Sequence, residues 1–150
     1  MRLRISAALL ACLSLLLCAG CDLLFPGPDE LTAITRGDFF GAWKNVDSDT
    51  GGCTRFEIYE DDQAQLMFQG YGACHPTDCV WAPVPMTMFS DSVSDDVEKY
   101  GLWIRGDGFA DRVGILEFVG SRLQLTLFTV FTDESGRSNY RSIDLFRRAP

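Results

Sequence analysis

Short apolar segments recur along the chain after residue 38, separated by turn-forming residues at intervals of about ten residues. The alternation of apolar and polar residues has a period of two over 55–58 and over 122–127, which places one face of each strand inward. Short strands at this spacing are typical of a β-sandwich or a β-barrel. The pattern predicts strands at 39–46, 54–59, 64–71, 80–89, 98–105, 110–118, 122–131 and 139–147.

The connections between these strands are short and rich in Gly, Asp and Ser, as at 106–108, 120–121 and 133–136. None is long enough for a helical crossover, so consecutive strands should be antiparallel neighbours. The one helical possibility is a turn near 92–99. Because a closed sheet has no exposed edges, we predict an all-β fold, a small up-and-down antiparallel β-barrel of about eight strands. A β-sandwich is the alternative.

The first twenty residues predict a signal peptide. Arg2 and Arg4 precede an uncharged run, Ile5 to Leu17, that is too short to span a membrane. The following Cys18-Ala19-Gly20-Cys21 resembles the bacterial lipobox, with Cys18 where Leu is usual. The resemblance implies cleavage after Gly20 and lipidation of Cys21. We therefore expect a signal peptide at 1–20, a lipidated tether at 21–38 and a barrel-like domain at 39–150.

The net charge and the predicted export of the domain limit the kinds of partner that it can bind. The formal charge of −8 becomes about −10 once residues 1–20, with two basic and no acidic groups, are removed. Such a domain repels phosphate backbones, which excludes nucleic acid as a partner. We expect the domain to lie outside the cytoplasm on the periplasmic side of the bacterial cell envelope, anchored to a membrane by its N-terminal lipid.

The first predicted strand contains Gly41-Ala42-Trp43, which resembles the Gly-x-Trp opening signature of lipocalin-like and avidin-like barrels. The resemblance implies that Trp43 closes one end of the barrel and that an arginine of the last strand, Arg147 or Arg148, lies across it. The plainer interpretation is that Trp43 is simply a core residue.

Several motifs together resemble a bacterial domain family of uncharacterised function: Gly-x-Trp-x-Asn-x-Asp from residue 41, Cys-His-Pro-Thr-Asp-Cys-x-Trp from residue 74, and Asp-x-Ser-Gly-Arg-x-x-Tyr from residue 133. The sequence departs from the family at Val80, Ala82 and Cys53. The resemblance implies a compact domain, and the family has no known activity to transfer to this chain. The candidate binding or structural residues are Trp43, Asn45, Arg55, His75, Asp78, Trp81, Asp133, Ser135, Arg137 and Tyr140.

The cysteines have several interpretations. Export favours a disulfide between Cys74 and Cys79, which would fix the shape of a short loop. The alternative is a zinc site formed by Cys74, His75, Asp78 and Cys79. Cys74 and His75 are adjacent, however, and zinc sites usually take ligand pairs from two separate segments. Cys53 is a buried thiol, a competing disulfide partner or an intermolecular link.

No convincing catalytic set is present. His75 is the one histidine, and no Ser lies in a Gly-x-Ser-x-Gly elbow. Asp61-Asp62 and Asp95-Asp96 lie in predicted loops, where solvated acids are common. Asp47-x-Asp49-x-Gly51 is more typical of a hairpin turn than of a calcium loop. No metal or cofactor is expected.

We therefore expect a non-enzymatic, lipid-anchored binding module that uses the barrel mouth or the loop between Cys74 and Cys79. Its partner would be a small ligand or, given the acidic charge, a cationic envelope protein. One alternative is an enzyme that acts on envelope polymers through acids such as Asp78, Asp133 and the pair Asp95-Asp96. The other is a purely structural envelope component.

Overall fold

A computed structural model of the protein describes residues 34–150, which form one short helix and nine strands. The predicted signal peptide, the cleavage position Gly20 and the lipidation candidate Cys21 lie outside the described residues. The elements are α1 (Arg36–Phe39), β1 (Gly41–Asn45), β2 (Cys53–Glu60), β3 (Leu66–Gly72), β4 (Cys79–Val80), β5 (Val84–Phe89), β6 (Tyr100–Gly106), β7 (Ala110–Val119), β8 (Arg122–Phe131) and β9 (Tyr140–Arg148).

Eight of the strands form a closed antiparallel barrel. Each pairs with its neighbours in the order β1, β2, β3, β5, β6, β7, β8 and β9, and β9 then pairs with β1 to close the ring. The extra strand, β4, pairs with the end of β3, where Tyr71 lies opposite Val80 and Gly72 opposite Cys79. The predicted eight-stranded up-and-down barrel is confirmed, and the sandwich alternative is wrong.

Three local predictions are wrong. The strand predicted at 80–89 is divided into β4 and β5. After β4, Trp81 donates its backbone N–H to the carbonyl of Gly70 (2.9 Å). Pro83 has no backbone N–H and so cannot donate to a neighbouring strand, which ends the pairing before β5 begins. The predicted helical turn at 92–99 does not form a helix. The one helix of the described part is α1, and the first strand begins at Gly41 rather than at Phe39.

A capping interaction fixes the start of α1. The carboxylate of Asp38 accepts hydrogen bonds from the backbone N–H and the hydroxyl of Thr35, at 2.7 and 2.8 Å. Both bonds favour the ionised acid, so they lower the pKa of Asp38. The helix thereby delivers Phe39, which is fully buried, into one end of the barrel.

Aromatic rings fill this end of the barrel. Trp43 meets Phe118 edge to face with ring centroids 5.8 Å apart, and Phe56 lies 4.6 Å from Phe146. The indole N–H of Trp43 donates to the carbonyl of Phe39 at 2.9 Å, so its one polar group is satisfied. We call this end, covered by α1, the closed end.

Arg148 is the arginine that lies on Trp43. Its guanidinium carbon is 4.6 Å from the indole centroid, and its Nη1 and Nη2 donate to the carbonyls of Phe40 and Asp38, each at 2.6 Å. The last strand therefore fastens α1 over the closed end through one side chain. Arg147, the other candidate, makes no such contact with the Trp43 ring.

Within residues 34–150, no helix is long and apolar enough to cross a membrane.

Arg148→Met should destabilise the barrel, because the variant loses both carbonyl contacts and the cation–π contact with Trp43. We expect the free energy of unfolding to fall by about 1–2 kcal/mol, measured by urea denaturation. Arg147→Met is the matched control and should change it by less than about 0.5 kcal/mol. Equal effects of the two substitutions would contradict the role given to Arg148.

Candidate functional site

The connections between strands divide between the two ends of the barrel. The closed end carries α1 and the loops 61–65, 90–99 and 120–121. The other end, which we call the open end, carries the segments 46–52, 73–83, 107–109 and 132–139. The Cys-x-Pro-Thr-Asp-Cys-x-Trp motif and the Asp-x-Ser-Gly-Arg motif therefore lie at the same end, although more than fifty residues separate them in the sequence.

The open end contains a cavity of about 660 Å³. It lies beyond the aromatic rings of the closed end, and both the barrel wall and the loops contribute to it. Its apolar and aromatic lining includes Cys53, Trp81, Phe109, Leu127 and Tyr140, and its charged lining consists of Arg105, Asp107, Arg112 and Asp144. The disulfide loop also borders it, through Cys74 and Cys79.

Glycines on β3 place Trp81 at the cavity wall. A Cβ atom on Gly70 would lie 2.3 Å from Cε3 of the indole, and one on Gly72 would lie 2.8 Å from its Nε1. Side chains at these two positions would push the indole away from the strand, so the Gly-x-Gly spacing creates the surface on which Trp81 rests. In the described part of the chain, no protein acceptor receives the indole N–H.

A charged cluster lies beside Trp81, where β6 and β7 meet. The guanidinium of Arg112 bonds to Oδ2 of Asp107, and Nε of Arg105 lies 3.8 Å from the same oxygen. The side chains are only 11% exposed for Arg112, 14% for Arg105 and 12% for Asp107. The Arg112 guanidinium also lies 5.7 Å from the Trp81 ring and 5.0 Å from the Phe109 ring. These contacts hold it in place.

A second polar group lies on β9 and β1. Asn45 is buried, and its Nδ2 donates to the carbonyl of Cys53 at 2.8 Å and to Oδ1 of Asp144 at 3.3 Å. No Lys or Arg nitrogen of the described part lies within 4.0 Å of Asp144. The cavity therefore has a cationic cluster at β6 and β7 and an acidic group at β9.

The loop between Cys74 and Cys79 is fixed to the outside of the barrel. The two cysteines are joined by a disulfide with Cα atoms 5.4 Å apart, as predicted. Asp78 accepts a hydrogen bond from Oγ1 of Thr54 at 2.9 Å and lies 3.6 Å from Nε of Arg55. The Arg55 guanidinium in turn covers the Tyr71 ring at 3.4 Å. Arg55 and Asp78 thus hold the loop that borders the cavity.

The loop 132–139 is held by its own polar residues. Asp133 accepts from the backbone N–H of Ser135 at 3.2 Å and from Nη2 of Arg137 at 2.5 Å, while Nε of Arg137 donates to the Ser135 hydroxyl at 2.8 Å. The Ser135 hydrogen bonds, and then the Arg137 contact, lower the pKa of Asp133. The Arg137 guanidinium covers the Phe131 ring at 3.9 Å. These residues shape the loop and do not line the cavity.

The predicted site residues therefore separate into four groups. Trp81 and Tyr140 line the cavity, and Asn45 donates a hydrogen bond to Asp144, which also lines it. Arg55, Asp78, Asp133, Ser135 and Arg137 hold loops at the open end. Trp43 lies in the core of the closed end, and His75 is exposed on the disulfide loop.

The alternative metal sites gain no support. Cys74 and Cys79 are bonded to each other rather than available to zinc, and residues 34–150 contain no group of three or more His, Cys, Asp or Glu side chains placed to hold a metal ion. Asp47 accepts the backbone N–H of Asp49 at 3.0 Å, the geometry of a turn. The segment is the connection between β1 and β2, as its hairpin interpretation predicts.

The acids grouped by the enzyme hypothesis do not lie together. Asp78 and Asp133 are at the open end, whereas Asp95 and Asp96 are in the loop 90–99 of the closed end. Asp95 lies 3.6 Å from Nζ of Lys99 and accepts the backbone N–H of Val97.

The charged residues of the cavity are absent from the predicted site residues, although the alternation contains a signal for them. On β6, Arg105 follows Gly101 and Trp103 at the inward positions, and on β9, Asp144 precedes the buried Phe146 by two residues. A charged residue at a position that the period of two directs inward is costly unless it is paired or reaches a solvated cavity. Inward charged positions of this kind are therefore the sequence signal for such a site.

Cys53 lies at the edge of the cavity with its thiol buried. The side chain is 1% exposed, and its Sγ donates to the carbonyl of Arg55 at 3.4 Å. Burial raises the pKa of this thiol to about 12, because the thiolate would lose its hydration. The buried-thiol interpretation is confirmed. Among the described cysteines, Cys53 is the one outside a disulfide.

Comparison with known proteins supplies no relative. No protein-family model, curated protein or solved structure matches this chain. The function must be inferred from the cavity and the side chains around it.

The Cys53 thiol should resist labelling in the folded protein, because the thiolate is the reactive form and the raised pKa keeps it protonated at about pH 8. We expect parent and Cys53→Ala to show the same number of thiols reactive with 5,5′-dithiobis(2-nitrobenzoate) in buffer. In urea, the parent should show one more. An extra reactive thiol in buffer would contradict the burial of Cys53.

Proposed function

We propose that the protein is a lipid-anchored lipoprotein of the bacterial cell envelope whose barrel binds a small ligand in the open-end cavity without chemically changing it. The observation that carries this proposal is the unequal filling of the barrel. Aromatic rings fill the closed end, whereas about 660 Å³ stays open at the other. Ligand pockets commonly have volumes of roughly 300–1,000 Å³.

The lining is of the kind that holds a small organic molecule. Trp81, Phe109, Leu127 and Tyr140 supply apolar surface, and a few charged groups sit among them. Apolar walls with a small number of placed polar groups are typical of ligand sites. A structural envelope component would gain nothing from buried charged groups around an open volume, since filling that volume with Leu or Phe would stabilise the barrel.

The loops at the rim support the same proposal. A disulfide, the pair Arg55–Asp78 and the pair Arg137–Asp133 hold the two long segments of the open end. Binding loses less conformational entropy when the surface that surrounds the ligand is already ordered. The motifs that identify these loops in the sequence therefore serve to hold the mouth of the cavity in shape.

A small ligand is favoured over a cationic envelope protein because the candidate site is concave and is bordered by arginines as well as aspartates. Binding is favoured over catalysis because the charged lining groups already have structural partners: Arg112 bonds to Asp107, and Asp144 accepts a hydrogen bond from Asn45. The chain's one histidine, His75, is exposed and outside the lining.

The lipid anchor is supported by the sequence and by the disulfide. The lipobox-like Cys18-Ala19-Gly20-Cys21 follows a basic and then apolar segment, and the domain contains a disulfide, which oxidising compartments outside the cytoplasm favour. Lipidation at Cys21 would place the barrel beside a membrane surface.

Filling the cavity should weaken ligand binding. The neutral fluorescent dye N-phenyl-1-naphthylamine should bind the purified parent, detected by its emission. Ser142→Phe should weaken binding by about tenfold or more, because the new ring occupies the cavity. Ile143→Phe, on the same strand but exposed and outward, should change it by less than about twofold. Equal binding by all three proteins, with unchanged urea midpoints, would contradict the proposed site.

Lipidation should depend on one cysteine. An alkyne-bearing palmitate analogue supplied to bacteria that express the chain should label the parent and Cys18→Ala, and should not label Cys21→Ala. The matched pair separates the lipobox position from its neighbour. Unchanged labelling of Cys21→Ala, or an unlabelled parent, would contradict the anchor while leaving the cavity proposal intact.

A further inference from the structure

We propose that the ligand is an amphipathic anion whose charged group binds between Arg105 and Arg112, with its apolar body against Trp81 and Leu127. This inference rests on the proposed function and specifies its ligand class. The cluster of Arg105, Asp107 and Arg112 lines the cavity and has more hydrogen-bond donors than acceptors.

The carboxylate of Asp107 is already committed. Its Oδ1 accepts the backbone N–H of Ala110 at 3.1 Å, within the turn between β6 and β7. Its Oδ2 bonds to Arg112 and lies 3.8 Å from Nε of Arg105. One carboxylate oxygen therefore serves two guanidinium groups.

The two arginines have many more donors than the protein uses. Each guanidinium has five N–H groups. Apart from Asp107, the one described acceptor for either group is the carbonyl of Ala82, 3.2 Å from Nη1 of Arg105. The cluster also carries one more positive than negative charge. A single anionic group in the cavity would supply acceptors and balance that charge.

The surroundings hold the cluster ready for such a group. The Arg112 guanidinium lies near the rings of both Trp81 and Phe109, and both arginine side chains are mostly buried. In such a place a charge-assisted hydrogen bond is stronger than in water. The ordering of two long side chains is also already complete before the ligand arrives.

Asp144 fixes the orientation of the ligand. Its carboxylate lines the cavity from β9 and has no described Lys or Arg within 4.0 Å, so it repels an anionic group from that side. The charge of the ligand is thereby directed to β6 and β7. The apolar body is left with the indole of Trp81 and the side chain of Leu127.

Two matched dyes test the inference. 1-Anilinonaphthalene-8-sulfonate has the ring system of N-phenyl-1-naphthylamine with an added sulfonate. The parent should bind the sulfonate at least about tenfold more tightly than the neutral dye, as charge-assisted hydrogen bonds imply. Arg105→Met and Arg112→Met should each weaken the affinity for the sulfonate dye by about tenfold. Each should change the affinity for the neutral dye by less than about twofold.

The control is Arg122→Met, at an exposed position at the closed-end start of β8, which should leave both affinities unchanged. If Arg112→Met fails to fold because Asp107 loses its partner, Arg112→Lys keeps the charge and loses the fork of donors. For Arg112→Lys, the ratio of the sulfonate affinity to the neutral-dye affinity should then fall toward one. An unchanged ratio would count against the inference.

The outcomes separate the two claims. Equal affinities of the parent for both dyes, or a sulfonate affinity that ignores the two arginines, would overturn the anionic ligand. If the neutral dye still depended on Ser142 in that case, the cavity would stand as the binding site. Failure of both dyes to bind the parent would overturn the proposed function itself.

Discussion

The seam between the first and last strands is the constraint on which the rest of the molecule depends. β1 and β9 pair over only three positions, with Trp43 opposite Arg148, Lys44 opposite Arg147 and Asn45 opposite Phe146. Without these pairs the sheet would have two open edges, which are liable to associate with other chains. The register of this seam also decides which side chains meet inside the barrel.

Both ends of the barrel follow from that register. At the closed end it brings the Arg148 guanidinium over Trp43 and toward the carbonyls beneath α1. At the other end it sets Asn45 of β1 beside Asp144 of β9, to which Asn45 donates a hydrogen bond. This short ladder therefore contributes both to the filled closed end and to the polar side of the open-end cavity.

Much of the fold could be predicted from the sequence, because the period of two is visible in strands such as β2 and β8 and no connection is long enough for a helical crossover. The division of 80–89 could not, since it depends on the Trp81 indole resting on Gly70 and Gly72, a contact made across the sheet. The sequence predicts the disulfide and an arginine on Trp43, although the contacts of the folded chain are needed to distinguish Arg148 from Arg147. The cavity is harder to predict, because an unfilled volume is a property of all the inward side chains together.

The central claim is that the apolar lining of the cavity binds the ligand. An apolar ligand could instead bind the outer wall of the barrel, where the side chains of Ile104 and Ile143 are 65% and 50% exposed. Intermolecular nuclear Overhauser effects between bound N-phenyl-1-naphthylamine and the protein's methyl and indole protons distinguish the two surfaces directly. The account predicts effects to the Leu127 methyls and the Trp81 indole. Effects confined to the Ile104 and Ile143 methyls would contradict it.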